Sequence, residues 1–554
     1  MIQRSDNVRL TRYLFALGLF ALATACGSND ILVTTTTTST APTTTYLSAP
    51  LTTWPEHGQS ITPVEGQSRP VLEPTLVIIN TNIGDAWCNE VDFADRTTEV
   101  CSQRPFTHTE WGSLAVGDLD NDGYSDDLLN SAGFSEVSLG LEGLRESLRV
   151  YRDVRLADLD ADGVVDAIAN VYQEEHGFVR LYWGHFDDSS GSLLFTEDVE
   201  FSTNEYRGFG ESIVVADLNN DNLLDIFVPQ YVKDGIRGNI YNYPLLFENL
   251  GDRRFFDHSL TSGFANPIQR VEGAQAFDFN HDGLLDIYTG GALWLNRGSF
   301  TFVALAEPIG LDAIRDEGIE IVDVDADGRP ELILLNPKGI LFIYEITCEP
   351  CRFTLEASYS VARRDTFGLT TIQFDGDEQR EIVVAGGKSV IDEQSVIDEQ
   401  EVFHPPTLID LSGVEPVAST LLSHHGGWSD IGTWFSPAND CTENLVLRYE
   451  RVFILEGQYT QKCVVLTVLI DGKKTAQGRD VISTQVNGRT AWHVIDGGSG
   501  FLSQKPYELY LSLDPQSDWL DVQVGCPLGI SESIRLSEGA WTFDCDNYSL
   551  SART

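Results

Sequence analysis

A nine-residue acidic segment recurs along the chain and constrains the fold more than any other feature. It first occurs at 118–126, with Asp at positions 1, 3, 5 and 9 and Gly at position 6. Oxygen ligands at these intervals, with a residue at position 6 that permits a sharp turn, suit a hard cation such as Ca²⁺. The sequence therefore predicts five calcium loops, numbered one to five: Asp118, Asp120, Asp122 and Asp126; Asp158, Asp160, Asp162 and Asp166; Asp217, Asn219, Asp221 and Asp225; Asp278, Asn280, Asp282 and Asp286; Asp323, Asp325, Asp327 and Glu331.

The residues around these loops predict strands. A helix-loop-helix calcium site needs a bidentate Glu at position 12, and the twelfth residues here carry no carboxylate: Leu129, Ala169, Val228, Thr289 and Leu334. Short apolar runs rich in β-branched residues flank the loops, for example 212–216 and 226–228. Runs of this length and composition are typical of strands, so each loop is predicted to connect the two strands of a hairpin.

Two degenerate copies extend the series. Loop six has Gln373, Asp375, Asp377 and Glu381, and loop seven has Ser436, Ala438, Asp440 and Asn444; whether either binds metal stays open. The seven loops begin 40 to 63 residues apart, and a four-stranded propeller blade repeats about every 40 to 50 residues. We therefore predict an all-β fold, with a seven-bladed β-propeller over 71–455. The run 76–81 is expected to pair with the last blade and close the ring.

The segment 456–554 is predicted to form a small C-terminal β domain. Its apolar, strand-like runs are separated by Gly, Asp, Pro and Ser, which favour turns; the runs are 464–470, 491–495, 509–513 and 519–524. The glycine-rich stretch 497–500 is interpreted as a turn or bulge between strands in preference to a ligand loop.

The N-terminus predicts export and tethering. Arg4, Arg9 and Arg12 precede an apolar run at 13–22 that is too short to span a membrane stably, so 1–25 is predicted to be a signal peptide. Cys26 follows small residues and resembles the acylated Cys of bacterial lipoproteins; with Gly27 after it, the resemblance implies a lipid anchor in the outer membrane. The Thr/Pro-rich stretch 26–70 is predicted to be an extended tether.

Charge limits the partners that the chain can have. The formal net charge is −48, which makes nucleic acid an unsuitable partner. Such acidity fits either solubility in a calcium-containing or salty medium or cation-dependent adhesion to another anionic surface. The expected partners are the membrane, through the lipid anchor, and an extracellular glycan or protein.

The repeats resemble FG-GAP or VCBS repeats, the propeller units found in integrin α chains. In that family the residues at positions 1, 3, 5 and 9 bind one Ca²⁺ per blade, which implies Ca²⁺ as the cofactor of loops one to five. The segments 478–482, 497–504 and 524–529 resemble the ASPIC/UnbV domain, although Cys526 replaces the tryptophan of that domain's pattern. Together, the two resemblances place the chain beside the cartilage acidic protein family and its bacterial lipoprotein members.

Eight cysteines besides Cys26 suggest disulfides in an exported chain. Pairing of sequence neighbours predicts four bridges, with connectivity left open: Cys88–Cys101, Cys348–Cys351, Cys441–Cys463 and Cys526–Cys545. A thiol redox site at Cys348 and Cys351 is the alternative, but the flanking residues predict a hairpin turn without the helix N-terminus that would stabilise a thiolate.

No catalytic constellation stands out in the sequence. The most suggestive cluster is His424, His425 and Asp430, which could bind a transition metal, but adjacent side chains on extended backbone point in opposite directions. We therefore expect a calcium-binding, membrane-tethered binding or adhesion protein without a catalytic site. The alternatives are an exported carbohydrate-active enzyme, a hydrolase or lyase built on the propeller loops, and a spacer or assembly scaffold.

Overall fold

The computed structural model of the chain is all-β in the part that it describes. No helix in that part is both long and apolar enough to cross a membrane. The described residues are 59–60, 79–83, 86–93, 96–102, 113–119, 127–130, 153–173, 176–187, 193–198, 201, 212–230, 243–264, 273–305, 318–336, 339–348, 351–361, 368–373, 379–385, 387–390, 401–404, 406–413, 416–421, 431–436, 441–448, 452–455, 462–496, 498 and 503–553.

The strands of the repeat region are short. Before loop two they are β1 (Gln59–Ser60), β2 (Ile79–Ile83), β3 (Ala86–Phe93), β4 (Arg96–Ser102), β5 (Leu114–Gly117) and β6 (Asp127–Asn130). Around loops two to four they are β7 (Val154–Ala157), β8 (Asp166–Gln173), β9 (His176–Phe186), β10 (Leu193–Glu197), β11 (Val214–Ala216), β12 (Asp225–Val228), β13 (Leu245–Asn249), β14 (Phe255–Asp257), β15 (Ala274–Phe277), β16 (Asp286–Thr289), β17 (Ala292–Asn296) and β18 (Phe302–Ala304). Around loops five to seven they are β19 (Gly318–Val322), β20 (Glu331–Leu335), β21 (Ile340–Thr347), β22 (Arg352–Ser360), β23 (Leu369–Ile372), β24 (Glu381–Val384), β25 (Gly387–Val390), β26 (Glu401–His404), β27 (Thr407–Asp410), β28 (Val417–Thr420), β29 (Ile431–Phe435), β30 (Asn444–Arg448) and β31 (Val452–Leu455).

In the described part of the chain these strands form nine sheets, and four of the nine are four-stranded and antiparallel. The sheets β7–β10, β11–β14 and β15–β18 are simple meanders, and β23, β24, β27 and β28 form another four-stranded sheet. The sheet β19–β22 gains β1 as a parallel fifth strand at its outer edge. Smaller sheets are β5–β6, β29–β31 and the hairpin β25–β26. Each of loops one to seven connects the first two strands of its sheet, which confirms the strand-loop-strand prediction.

The first strands of successive sheets lie beside one another. Contacts join β5 to β7, β11 to β15, β15 to β19, β19 to β23, β23 to β29, and β29 to β5. Between β7 and β11 the Arg155 Nε donates to the Ile213 carbonyl at 3.1 Å. The strands β5, β7, β11, β15, β19 and β23 are almost wholly buried, whereas most side chains of β29 lie outside the described part of the chain.

The prediction for the run 76–81 was wrong for 79–81, and 76–78 lie outside the described residues. The residues of β2 pair antiparallel with β3, and β2, β3 and β4 form a three-stranded sheet of their own. A local hairpin closes with little loss of chain entropy, whereas pairing with the last blade would close a loop of about 370 residues.

The C-terminal domain has two sheets built from ten strands: β32 (Cys463–Ile470), β33 (Lys474–Thr475), β34 (Asp480–Thr484), β35 (Thr490–Val494), β36 (Leu509–Ser512), β37 (Trp519–Cys526), β38 (Gly529–Ile530), β39 (Ile534–Ser537), β40 (Gly539–Asp544) and β41 (Ser549–Ala552). One sheet has the order β33-β32-β40-β41 with β36 also on β32, and the other has β35-β34-β37-β38 with β39 also on β37. The pair β32 and β40 is parallel.

The C-terminal domain packs directly on the repeats. Its buried residues, such as Val464 and Val522, belong to one continuous apolar cluster with Ile168 of β8 and Ile226 of β12. Residues 52–554 accordingly form one compact unit. The core is therefore shared, and burial at this interface stabilises both regions.

Three of the four predicted disulfides are confirmed: Cys348–Cys351, Cys441–Cys463 and Cys526–Cys545. The bridge from Cys441 to Cys463 ties the segment before β30 to the first residue of β32, and so links the last repeat to the C-terminal domain. Cys88 and Cys101 are direct cross-strand partners of β3 and β4, but their side chains lie outside the described part of the chain.

Candidate metal centres in the repeated loops

Loop two folds around its position-1 carboxylate. Asp158 Oδ1 accepts from the Asp162 amide at 3.2 Å, and its Oδ2 accepts from the Gly163 amide at 3.0 Å. Asp166, at position 9, is the first residue of β8 and is fully buried. Its oxygens accept from the amides of Leu159 and Gly184, both at 2.9 Å, which fixes the carboxyl group at the base of the loop.

Loops three, four and five repeat this arrangement. In each, the position-1 carboxylate accepts from the amides of positions 5 and 6: Asp217 from Asp221 at 3.1 Å and Asn222 at 3.1 Å, Asp278 from Asp282 at 3.1 Å and Gly283 at 2.9 Å, Asp323 from Asp327 at 3.0 Å and Gly328 at 2.9 Å. Four loops separated in sequence therefore share one local geometry, which depends on the spacing of their side chains.

The backbone of these loops is left-handed at two positions. Position 4 has φ between 54° and 62° in Ala161, Asn220, His281 and Ala326. Position 6 has φ between 68° and 90° in Gly163, Asn222, Gly283 and Gly328. Glycine adopts this conformation at no steric cost and asparagine tolerates it, so Asn222 can replace glycine in loop three.

Among the four described loops, the side-chain oxygens converge in the two that have acidic residues at positions 1, 3 and 9. Oxygens of Asp158, Asp160 and Asp166 lie within 4.8 Å of one another. Those of Asp323, Asp325 and Glu331 do the same. Loops three and four carry Asn219 and Asn280 at position 3, whose amide nitrogens donate to the position-5 carboxylates Asp221 and Asp282 at 2.9 and 3.0 Å.

The predicted residues outside these four loops are only partly described. Asp118 of loop one is described, whereas Asp120, Asp122 and Asp126 lie outside the described residues. The same holds for Asp375 and Asp377 of loop six, for Ala438 and Asp440 of loop seven, and for Cys26, His424, His425 and Asp430. Four of the predicted calcium loops are thus complete enough to examine.

Burial raises the pKa of the clustered carboxyl groups, and neighbouring carboxylates add to the effect. The pKa is raised to about 6 in Asp158 and Asp217, to about 7 in Asp323 and to about 8 in Asp166 and Asp286. For Glu331 burial and the charges of Asp325 and Asp323 raise the pKa to about 10. Carboxyl groups that resist ionisation in this way form a site that a bound cation would stabilise.

The donor set fits Ca²⁺. It consists of carboxylate and amide oxygens, which are the ligands that hard cations prefer, and thiols and imidazoles are absent from positions 1, 3, 5 and 9 of loops two to five. Oδ2 of Asp286 is buried, and no described donor lies in hydrogen-bonding geometry with it. A cation in loop four would supply the partner that this oxygen needs.

Two arginines approach the position-3 and position-5 carboxylates, which sequence analysis missed. Arg253, in the turn between β13 and β14, donates through Nε to Asp160 at 2.6 Å. Arg329 donates through Nε to Asp327 at 3.0 Å. Both guanidinium groups are about half exposed, so they offset part of the acidic charge from the solvent side.

The side chains of Asn249 and Asn296 form hydrogen bonds between neighbouring repeats. Sequence patterns identify them only as turn residues, through the Asn-x-Gly spacing that ends β13 and β17. Asn249 Nδ2 donates to the Leu159 carbonyl of loop two at 2.9 Å, and Asn296 Nδ2 donates to the Leu218 carbonyl of loop three at 2.7 Å. Each therefore fixes the loop of the preceding repeat.

The C-terminal domain contacts all four described loops. Lys473 Nζ donates to the Ala161 carbonyl at 3.3 Å, and Lys474 Nζ donates to the Asn222 carbonyl at 2.8 Å. Arg479 Nη1 donates to the Gly283 carbonyl at 2.9 Å. The amide of Trp492 donates to Asp323 Oδ2 at 2.9 Å. The turn that shapes each loop is thus also a docking point.

A second contact places the segment 503–507 against the first strands of the repeats. Gln504 Nε2 donates to the carbonyls of Val116 and Leu156, both at 3.0 Å, and its Oε1 accepts from the Leu156 amide at 2.7 Å. Gly498 has φ of 122°, and a Cβ there would lie 2.8 Å from Val214 Cγ2. Close packing and backbone conformation both require glycine at 498, whereas 497, 499 and 500 lie outside the described residues, so the turn or bulge stays a prediction.

Comparison with known proteins supports the repeat assignment. The family model of the FG-GAP-like repeat matches residues 158–228 and 278–334, which contain loops two to five. No curated protein matches the chain.

Similar solved structures include the V. cholerae biofilm matrix protein Bap1, with 12% identity, 80% of this chain and 82% of that chain covered, and a TM-score of 0.28. The Chaetomium thermophilum Nup170 NTD-Nup53 complex has 10% identity, coverage of 68% and 56%, and a TM-score of 0.31. The exotype rhamnogalacturonan lyase YesX has 11% identity, coverage of 84% and 81%, and a TM-score of 0.25. TM-scores this low do not establish a shared fold. The chain therefore contains FG-GAP-like repeats, and the four loops with common geometry lie within them.

Proposed function

We propose that the protein is a calcium-binding, membrane-tethered binding or adhesion module. The observation that carries the proposal is the common hydrogen-bonded geometry of loops two to five, together with the convergence of carboxyl oxygens in loops two and five, where the pKa of Asp166 and Glu331 is raised. The residues at positions 1, 3, 5 and 9 would hold the ion, and Ca²⁺ would supply the charge that they need. Loop one, with the same residue types, would bind a fifth ion.

The repeats would form a seven-bladed propeller, in which each sheet is one blade. The contacts from β5 through β7, β11, β15, β19, β23 and β29 back to β5 support a closed ring with seven members. A ring removes exposed sheet edges, which makes it a stable platform for loops that bind a partner.

Calcium would stabilise the platform and the docking of the C-terminal domain. Lys474, Arg479 and the Trp492 amide contact atoms of loops three, four and five. The position-1 carboxylate of each of these loops accepts from the amides of positions 5 and 6, and so helps to hold those atoms in place. Ion binding would therefore stabilise the folded unit by mass action.

The N-terminal segment would place this module at a membrane. We propose that 1–25 directs export, that Cys26 becomes the lipid anchor in the outer membrane, and that 26–70 spaces the folded unit from the bilayer. The partner would be an extracellular glycan or protein, and the C-terminal segment would be an ASPIC/UnbV-like domain. The apolar run at 13–22, the small residues before Cys26 and the Thr/Pro-rich stretch that follows support the proposed export and anchoring.

The test combines calcium titration with a binding screen on the chain that begins at residue 26, with Cys26 replaced by Ser. Calorimetry is expected to give four or five calcium sites, and a glycan and extracellular-protein array is expected to give calcium-dependent binding to one ligand class. The double variant Asp158→Asn/Asp323→Asn should lose two sites, while Asp546→Asn, at an exposed position of the C-terminal domain, should lose none. Absence of saturable calcium binding would contradict the proposal, and calcium binding without any array ligand would contradict its adhesion part.

A further inference from the structure

Two residues outside the ligand positions join loop three to loop four. Asn220 is position 4 of loop three, and its Nδ2 donates to the carbonyl of Gly283, position 6 of loop four, at 2.9 Å. Arg479 of the C-terminal domain donates through Nη1 to the same carbonyl at 2.9 Å and through Nη2 to Asn220 Oδ1. Asn220, Gly283 and Arg479 are thus joined by three hydrogen bonds, which we call the loop bridge.

The two partners of Asn220 fix the orientation of its amide group. The Gly283 carbonyl only accepts hydrogen bonds, and the Arg479 guanidinium only donates them. The reverse orientation would place the Asn220 oxygen against the carbonyl and its nitrogen against the guanidinium. One amide group therefore serves both partners, and two of the three bonds of the loop bridge depend on it.

Each end of the loop bridge lies in a turn that closes around a position-1 carboxylate. In loop three, Asp221 follows Asn220 directly and donates its amide to Asp217 at 3.1 Å. In loop four, the Gly283 amide donates to Asp278 at 2.9 Å, while the carbonyl of Gly283 accepts from the loop bridge. An ion that fixed one of these turns would therefore also fix one end of the loop bridge.

Arg479 acts on both loops through its charge as well. It is 3% exposed. Burial raises the pKa of Asp217 to about 6 and also raises that of Asp278, and the charge of Arg479 opposes both increases. The position-1 carboxylates of two loops thus respond to the same buried guanidinium.

We infer that the loop bridge couples the calcium sites of loops three and four, so that an ion in one raises the affinity of the other. Asn220 and Arg479 are positioning residues here, because neither occupies position 1, 3, 5 or 9. The inference rests on the proposed function, which gives each loop its own ion, and adds that these two sites fill together. Repulsion between two bound dications acts in the opposite direction, so the sign of the coupling decides between the two effects.

A cycle of variants measures the coupling in the chain that begins at residue 26 and carries Cys26→Ser. Asp217→Asn removes site three, Asp278→Asn removes site four, and the double variant removes both; asparagine keeps one oxygen that can accept from the turn. Competition with a chromophoric calcium chelator gives the product of the calcium association constants of each chain.

The coupling factor follows from these four products. It is the product for the starting chain times that for the double variant, divided by those for the two single variants. We expect a factor of about five or more in about 0.15 M salt, which screens repulsion between the ions.

Asn220→Ala is the decisive variant. Alanine occupies position 4 of loops two and five with φ of 62° and 57°, so the backbone of such a loop accepts it. The change removes both amide contacts and leaves every ligand, so the coupling factor should fall to about 1 while the number of bound ions stays the same. Asn487→Ala, in an exposed turn, is the matched control and should leave the factor unchanged.

A second variant and a second cycle complete the test. Arg479→Met removes two of the three bonds of the loop bridge and should lower the coupling factor even where Asn220→Ala fails to fold. The cycle of Asp278→Asn with Asp323→Asn should give a factor of about 1, because no hydrogen bond among the described residues joins loop four to loop five.

Four results would overturn the inference. They are a coupling factor of about 1 or lower in the starting chain, a factor that both Asn220→Ala and Arg479→Met leave unchanged, an equal factor between loops four and five, and no calcium binding at all. The last result would overturn the proposed function as well. Ions bound in loops three and four without coupling would overturn this inference alone.

Discussion

Buried acidic groups have different neighbours in two parts of the repeat region. The two parts are loops two to five, and the sixth and seventh repeats. In loops two to five the carboxyl groups crowd together, and burial raises the pKa of Asp166 to about 8 and that of Glu331 to about 10. In repeats six and seven the position-8 residues Arg380 and Glu443 form an ion pair with two hydrogen bonds, in which Glu443 is buried and Arg380 is partly buried. The Gln373 amide also donates to Glu443 at 2.8 Å. In repeats six and seven, where most of the predicted calcium-ligand residues are replaced, the positive charge beside Glu443 comes from the guanidinium of Arg380.

This difference predicts that calcium dependence is concentrated in the first five repeats. The ion pair of Arg380 and Glu443 is part of the covalent chain and does not respond to a chelator. Under the proposed function, the carboxyl groups of loops two to five would depend on a diffusible ion, because the partly exposed Arg253 and Arg329 reach only the carboxylates at positions 3 and 5. Four predictions follow this division, in order of decreasing effect.

Chelation should produce the largest change. An ion at 100 times its Kd stabilises a site by about 2.7 kcal/mol, so four sites contribute roughly 10 kcal/mol. For a unit of this size that corresponds to a fall in Tm of about 10 °C. Calorimetric melts in calcium and in excess EDTA measure it, with magnesium as a control ion. An unchanged Tm in chelator would show that calcium does not stabilise the repeats.

Arg380→Met should destabilise the protein equally with and without calcium. Removing one partner of a buried ion pair leaves Glu443 uncompensated and costs about 3–5 kcal/mol. Chemical denaturation in calcium and in chelator measures the loss. The double variant Arg380→Met/Glu443→Leu should recover part of it, because the orphaned charge is gone. A loss seen in calcium alone would show that repeats six and seven also depend on the ion.

Asp160→Ala should destabilise the protein mainly in calcium, in contrast to Arg380→Met, which should act equally with and without the ion. Loss of the position-3 carboxylate should remove one site and about 2–3 kcal/mol of stability in calcium, and at most about 1 kcal/mol in chelator, where the partly exposed ion pair with Arg253 is lost. Asp546→Ala, at an exposed position in the C-terminal domain, is the control. The denaturation midpoint reports both. Equal destabilisation in chelator would assign Asp160 a structural role that does not require the ion.

The pH dependence of stability should also differ between calcium and chelator, although this difference is expected to be the smallest of the four effects. Asp158, Asp166, Asp286 and Asp323 have pKa values raised to about 6, 8, 8 and 7. Their folded forms bind protons that the unfolded chain has released, so stability without calcium should fall as pH rises from about 4 to about 8. Bound calcium favours the ionised form and should flatten this slope. Melting temperatures across that range test it, and parallel slopes in both conditions would contradict it.

Local spacing accounts for what sequence could predict. The positions of Asp158 and Asp166, the strands around each loop and the three confirmed disulfides all depend on residues that are near neighbours in the chain. The docking contacts could not be predicted in this way. Trp492 reaches Asp323 across 169 residues, and Lys474 reaches Asn222 across 252. Nothing in the local pattern of either residue indicates its partner.

The same limit explains the second role of Asn249 and the error over β2. The Asn-x-Gly spacing predicts a turn, and the turn exists, but Asn249 also bonds Leu159 of the preceding repeat. For 76–81, strand propensity was correct for part of the run and the partner was wrong. Propensity identifies a strand, whereas its neighbour depends on the whole topology.

The position of Gln504 has a consequence for the order in which the chain folds. Its side chain bonds Val116, 388 residues earlier, and its carbonyl accepts from Thr433 in β29 at 2.8 Å. The hydrogen bonds through which Gln504 joins the first and last repeats can therefore form only after nearly the whole chain has been synthesised. Contacts of such long sequence separation form late and make folding slow. Until residue 504 arrives, the repeats form an incomplete assembly, and a truncated chain would lack the piece that locks its two ends.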